Sequence, residues 1–500
     1  VIRRLRARAL VVLALLPAAL VAAQETPPPG ESPPAQEQDD PDDPQETPPP
    51  PQPAPEVDDG GQEDPAPAGE QQDPPPVPDT PSDTPAPVAE PEAAGEPPAE
   101  TVEALPPSVS VTYPASADDL DRALRALVAA HPTATALETL GRSTSGREIL
   151  ALSIRLEGPL PLADRPLLLV LDHQGPPTPA AEALVAVANS LLTRCETEPE
   201  LRDLLGRTAL VLAPALDPDV RIPDLQARAV HFDRNFPSGW QPASVRRGAG
   251  AISLSEPETL AAARFLSTRG QAAIVLGFAA PAPVRPPYAG SELPEADHEV
   301  LARLVAALEI PGRPPVIPWF ELGSPGGGLL DYAFQACGIL PLVVPVAPAG
   351  ERSPEALASW NAEVEERVVA CLRLLPQLEL RQESLERLAP DTWQLDLVLA
   401  NGGLVPTLSA RGHERAPGAD VTLDVRGAKL VASALRGENE ASFQDVSIPV
   451  PGRATLAAGT LAGGERRFLR LVLEGASGSA IEVDARSPWG GSASLSLTLP

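Results

Sequence analysis

The sequence predicts an α/β fold with a mixed, largely parallel sheet flanked by helices, followed by an all-β sandwich and preceded by a long disordered N-terminal region. Three observations carry this expectation. Continuous apolar runs of strand length, such as Pro166–Leu171 and Thr208–Ala213, alternate with helix-period segments, as strands buried on both faces require. Beyond residue 393 the chain changes to short runs that alternate apolar and polar residues and are separated by Gly and Pro. Gln24–Ser110, by contrast, contains 22 Asp and Glu, no Lys or Arg, and almost no bulky apolar residue. Such a tract cannot bury enough surface to offset its conformational entropy, so it is expected to be extended and self-repelling.

In chain order, residues 1–23 carry a basic start, the apolar run Ala9–Leu20 and small residues at a cleavage position, the pattern of a secretory signal peptide. The run is short for a membrane span. The expectation is a secreted, periplasmic or cell-envelope protein with no stable span after signal removal, and Val1 would fit an alternative bacterial start codon. Residues 24–110 then form the Pro/acid-rich linker. The formal charge of −30 divides into +4, −22 and −12 over 1–23, 24–110 and 111–500. The folded part is therefore only mildly acidic, which excludes a nucleic acid as partner. Cys195, Cys337 and Cys371 allow one bridge at most and show no CxxC spacing, so buried free thiols are expected.

Order is expected from about residue 111. Ser116 precedes an acidic first turn and the stripe Leu120, Ala123, Leu124, Leu127, which marks an N-capped amphipathic helix. Leu137–Ile154 reads as strand, turn at Ser143–Gly146, and strand. Helices follow at Ala180–Leu192 and Glu256–Leu266, with strands at Ala272–Phe278 and Gly338–Val346. This α/β region spans 111–375. Arg381–Leu388 reads as a short charged helix inside a linker over 376–392. The β-sandwich over 393–500 contains alternating Trp393, Leu395, Leu397 and Leu399, then strands at Val421–Val425, Phe468–Leu473, Ile481–Ala485 and Ser494–Leu499. No residue pattern in it carries chemistry, so an accessory module is expected.

The segment His231-Phe-Asp-Arg-Asn-Phe-Pro-Ser-Gly-Trp240, followed by Ser255-Glu-Pro-Glu-Thr259, resembles the substrate-side signature of the M14-type zinc carboxypeptidases, which read "D-x-N-R-N-F-P…W" and then "S-E-P-E-T". The Leu140-Gly-Arg-Ser-Thr-Ser-Gly-Arg hairpin and the Pro214–Asp219 stretch resemble earlier motifs of the same family, in the same order. The resemblance covers about residues 111–375. It implies a carboxypeptidase-like fold and places Arg234 as the clamp for a substrate's terminal carboxylate, a role that suits a planar guanidinium fork. Asp233 stands where the family has Asn and is expected to pair with that guanidinium. Tyr288 in Pro-Pro-Tyr-Ala-Gly resembles the "Y-P-Y-G" wall of the cleft.

The same resemblance implies a zinc ion held by His-x-x-Glu at one strand end and a second His at another, with a separate Glu as base. None of His131, His173, His231, His298 or His413 has Glu three residues later. In the favoured register Gln174 and Pro177 take the places of the first His and Glu; shifted by one, His173 takes the His position and Pro176 the Glu. Gly277 stands for the second His and Pro345 for the base. A single imidazole holds zinc too weakly to retain it. The expectation is a carboxypeptidase-like pseudoenzyme without a cofactor or catalytic residue, whose cleft binds a peptide or protein C-terminus or a cell-envelope component through Arg234, Asp233 and Tyr288. One alternative is an active metallocarboxypeptidase with displaced zinc ligands, drawing on His173 or His231 with Asp172 or Asp233. A second is an envelope scaffold. Glu256 and Glu258 are expected to be helix-terminal charges.

Overall fold

Ser116 opens the first helix of the folded region. Its hydroxyl accepts from the Asp119 amide at 3.2 Å while the Asp119 carboxylate accepts from the Ser116 amide, a reciprocal cap that starts α1 (Ala117–Ala130). The computed structural model describes residues 109, 111–173, 178–222, 230–279, 293–318, 320, 326–346, 353–447 and 455–500. The expected signal peptide (1–23), the acidic tract (24–110), Gln174 to Pro177 and Tyr288 lie outside the described residues. No described helix is long and apolar enough to cross a membrane.

The α/β region is built on one seven-stranded sheet, with β1 (Thr135–Arg142), β2 (Glu148–Ile154), β3 (Leu167–Leu171), β4 (Ala209–Ala213), β5 (Ala272–Ala279), β6 (Ile317–Pro318) and β7 (Leu340–Pro345). Their order is β1-β2-β4-β3-β5-β7-β6. The four central strands β4, β3, β5 and β7 run parallel, and β1, β2 and β6 pair antiparallel at the two sides. Every residue of β3, β4 and β7 is buried, which is why these strands read as unbroken apolar runs. Helices α2 (Ala180–Arg194), α3 (Pro199–Arg207), α4 (Pro257–Ser267), α5 (Glu295–Ala307), α6 (Leu329–Cys337) and α7 (Pro354–Leu374) accompany the sheet. The three cysteines are free: Cys195 and Cys371 are buried and Cys337 partly so.

The β region differs from expectation at its start. Residues Leu378–Ala389, inside the segment read as a linker helix over 376–392, form the strand β8, paired in antiparallel register with β9 (Thr392–Asn401). The β layer therefore begins about fifteen residues before 393. The remaining elements are α8 (Ala410–Arg415), β10 (Val421–Arg426), β11 (Lys429–Gly437), β12 (Gln444–Ser447), β13 (Thr455–Gly459), β14 (Arg466–Glu474), β15 (Ala480–Ser487) and β16 (Gly491–Thr498). Two antiparallel sheets result, β13-β10-β15-β16 and β12-β11-β14-β9-β8. Between them lies a core containing Trp393, Leu395, Leu397 and Leu399 from one side and Leu423 and Val483 from the other.

The two regions share a seam. Both carboxylate oxygens of buried Asp297 on α5 accept from the amides of Ala410 and Arg411 at the start of α8, at 2.8 and 2.9 Å. Ser409 donates its hydroxyl to the Gly338 carbonyl at 2.6 Å. Val405, Leu408 and Trp489 pack into the core of the α/β region.

Candidate active-site cleft

In open α/β sheets ligands bind beyond the carboxyl ends of the parallel strands. Here the ends of β3 and β5 are adjacent, with Leu171 opposite Gly277. Asp172 and His173 follow directly from β3. Asp172 is buried beside Arg221, whose guanidinium lies 3.7 Å from it and donates to Glu182 at 2.9 Å and to the carbonyls of Ala115 and Thr178. That network closes the floor of the site and occupies both carboxylates with one buried cation.

His173 is 3% exposed and faces Asp233, with Nδ1 3.6 Å from the carboxylate oxygen. On its other side the ring lies on Gly277. A Cβ built on Gly277 would stand 2.7 Å from His173 Nε2 and 3.0 Å from Cδ2. Only glycine leaves room for this imidazole. Burial alone would push the imidazole pKa down, but Asp233, and less strongly Asp172, outweigh it and hold it above its ordinary value of 6.5.

Asp233 does not pair with Arg234 as expected. Its carboxylate accepts from the Leu329 amide at 2.8 Å, at the N-terminus of α6, and turns its oxygen to His173. Unpaired amides and the positive end of the helix dipole draw the carboxylate there. Arg234 is thereby left without a carboxylate among the described residues. It donates Nη1 to the Arg247 carbonyl at 2.8 Å, and the rest of its fork makes no further bond among the described residues.

Asn235, which the sequence reading passed over, holds this turn in place. It is fully buried; its amide donates to the carbonyls of Ala249 and Ile252 and to the Ser255 hydroxyl, and its oxygen accepts from the Glu256 amide and the Thr259 hydroxyl. The Asn of the turn and the Ser-Glu-Pro-Glu-Thr segment are thus two halves of one hydrogen-bond network. Leu254 takes a left-handed backbone conformation, φ 57°, with its amide donating to the Asn235 carbonyl at 2.7 Å. Glu256 stands at the N-cap position of α4, where its side chain makes no cap bond. Glu258 lies in the first turn, 1% exposed, accepting from the Thr144 amide at 2.7 Å and pinning the β1–β2 turn; both are helix-terminal in position, as expected. Asp219 pins the same turn through Ser143 and Ser145.

Residues 120–305 match the family described as zinc carboxypeptidase. The resemblance carried by the His231–Thr259 signature is thus shown, and this part of the chain is a carboxypeptidase-like region. Residues 377–498 match a family described only as a domain of unknown function. Carboxypeptidase D from Mus musculus and from Homo sapiens is 34% identical over 104 residues, 21% of this chain. The match spans only 8% of the length of those relatives. Among solved structures, carboxypeptidase A from Helicoverpa armigera aligns at a TM-score of 0.42 with 19% identity, covering 51% of this chain and 72% of that one. A metallo-carboxypeptidase from Burkholderia cenocepacia aligns at 0.35 with 15% identity, covering 52% and 69%. Neither likeness bears on chemistry.

A zinc ion of the kind the family name implies requires three side-chain donors around one open position. The described residues do not supply them. Gly277, near the end of β5, and Pro345, the last residue of β7, carry no donor atom, and the imidazole of His173 faces the carboxylate of Asp233. Among the described residues no three His, Cys, Asp or Glu side chains gather within reach of one ion.

Proposed function

We propose that the carboxypeptidase-like region is a catalytically silent peptide-binding module, exported from the cytoplasm, that captures the free C-terminus of a peptide or protein. The observation that carries this reading is the contact between His173 and Gly277. The imidazole occupies the space into which a side chain at 277 would have to grow, so the second ligand of the expected zinc site has neither a donor nor a place for one. Without a caged metal, the terms that activate water and polarise a scissile carbonyl are missing from the cleft. Recognition does not depend on them. Arg234 keeps a guanidinium free of any carboxylate among the described residues, because Asp233 is drawn off to the α6 N-terminus and His173. Export is supported by the basic and apolar composition of residues 1–23.

The test is calorimetry on the full chain with peptides that differ only in a free or amidated C-terminus. A charge-assisted hydrogen bond contributes about 1.5–3 kcal/mol. The free acid should therefore bind at least about ten-fold more tightly, and Arg234→Ala should remove the difference. Equal binding of acid and amide would leave the clamp reading without support. One equivalent of zinc in the chain purified without chelator, together with release of C-terminal residues, would favour the active metallocarboxypeptidase instead.

A further inference from the structure

The turn that carries Arg234 is far more cationic than the region around it. Residues 231–250 contain Arg234, Arg246 and Arg247 against a single carboxylate, Asp233, in a folded part that is acidic overall. Asp233 is committed to the Leu329 amide and to His173, so it does not neutralise them. The three arginines are also gathered in space. Arg234 donates Nη1 to the carbonyl of Arg247 itself, so the tip of one side chain meets the root of the other. Arg246 Nη1 lies 3.5 Å from the position a Cβ on Gly327 would take, and the Arg234 carbonyl lies 2.9 Å from that same position. His231, whose ring lies against Gly248, has its pKa lowered by burial first and then by Arg234, Arg247 and Arg246, so all three charges are felt at this imidazole. Arg246 is half-buried and partnered, and contributes charge more than a free fork. Arg247 is exposed, and its guanidinium bonds to nothing among the described residues. Arg234 and Arg247 have no carboxylate partner among the described residues, and two such neighbouring charges cost stability in the empty protein, a cost that a ligand with a single carboxylate only partly offsets.

We propose that Arg247 is a specificity-determining residue of this cleft and that the ligand is a peptide ending in Asp or Glu, its terminal carboxylate on Arg234 and its side-chain carboxylate on Arg247. The assignment rests on the C-terminus-binding reading and adds to it the identity of the last residue. A C-terminal acidic residue presents two carboxylates a few bonds apart, which matches two arginines on one turn, the first bonded to the backbone carbonyl of the second. Exposed Val245 and Ile252, 69% and 66% accessible, flank the arginines and offer apolar contact to the residues before it.

The experiment is titration of the full chain with four peptides of one sequence, ending in Glu or Gln, each as free acid and as amide, at low and high salt. The acid ending in Glu should bind about ten-fold more tightly than that ending in Gln, the span that one charge-assisted bond supplies after solvent screening. The preference should shrink toward one in about 0.5 M salt and in Arg247→Gln, and Arg247→Lys should keep part of it. Because the Arg247 side chain is exposed and only its carbonyl anchors Arg234, these variants should fold. Equal affinity for Glu and Gln while the amide still binds worse would overturn this assignment and leave the clamp reading standing. A Glu preference that persists in Arg247→Gln would also overturn it. Failure of all four peptides to bind would remove both readings.

Discussion

Gly277→Ala tests the contact on which the reading of the cleft rests. The added methyl would stand 2.7 Å from His173 Nε2, 3.0 Å from Cδ2 and 3.2 Å from Leu330 Cδ1. The imidazole is 3% exposed, and its strand is central in the sheet, so neither can retreat freely. Overpacking of this kind costs about 1–3 kcal/mol. Replacing a strand glycine by alanine returns about 0.5–1 kcal/mol of backbone entropy. The net expectation is a destabilisation of about 1–2 kcal/mol, read as a lower urea midpoint by circular dichroism. In a His173→Ala background the ring is gone, and the same substitution should be neutral or stabilising by about 0.5 kcal/mol. The coupling in this double-mutant cycle should therefore be about 1–2 kcal/mol. If Gly277→Ala costs the same in both backgrounds, the imidazole does not fill that space, and the case against a second metal ligand there fails.

Two further outcomes follow from other contacts. The His173 pKa is raised in the folded state, so its contribution to stability is fully present below about 6.5 and is lost as pH rises through the higher folded value. Urea midpoints measured from about pH 6 to pH 9 should fall across that window and should flatten in His173→Gln; an unchanged slope would refute the pairing with Asp233. Asp297→Ala strips two backbone amides at the start of α8 of their acceptor and should cost about 2–3 kcal/mol, with Asp297→Asn costing less. Equal stability of Asp297→Ala and the parent would mean that the seam is held by other contacts.

The α/β pattern was legible because buried parallel strands leave long apolar runs, and Ser116 with its acidic first turn announced α1 directly. Leu378–Ala389 was not. Its Glu, Arg, Gln and Leu content suits a helix, but β8 lies at the edge of its sheet, where charge on a half-exposed strand prevents association with other chains. β11, β12 and β13 were passed over because Gly, Pro and charged residues break up their short patterns. At the site, the motif placed Arg234 and Asp233 on one short turn, where the structure has them. What could not be read were contacts between residues distant in sequence. Asp233 turns to Leu329, 96 positions away, and the His173 ring meets Gly277, so nearest-neighbour reasoning paired Asp233 with the wrong partner.

The seam also bears on how this chain is inherited. Gly338 closes α6 in a left-handed conformation, and a Cβ there would meet the Gly412 backbone at 2.5 Å. The α/β and β-rich parts thus touch main chain to main chain, with Trp489 from near the carboxyl end seated in the first core. A boundary drawn at residue 376 divides sequence families but cuts through one compact unit of the fold. The β-rich part is therefore a poor cassette: transplanted to another protein it would expose Trp489, and the α/β part left behind would lose the backing of the helix whose N-terminus holds Asp233 away from the arginine.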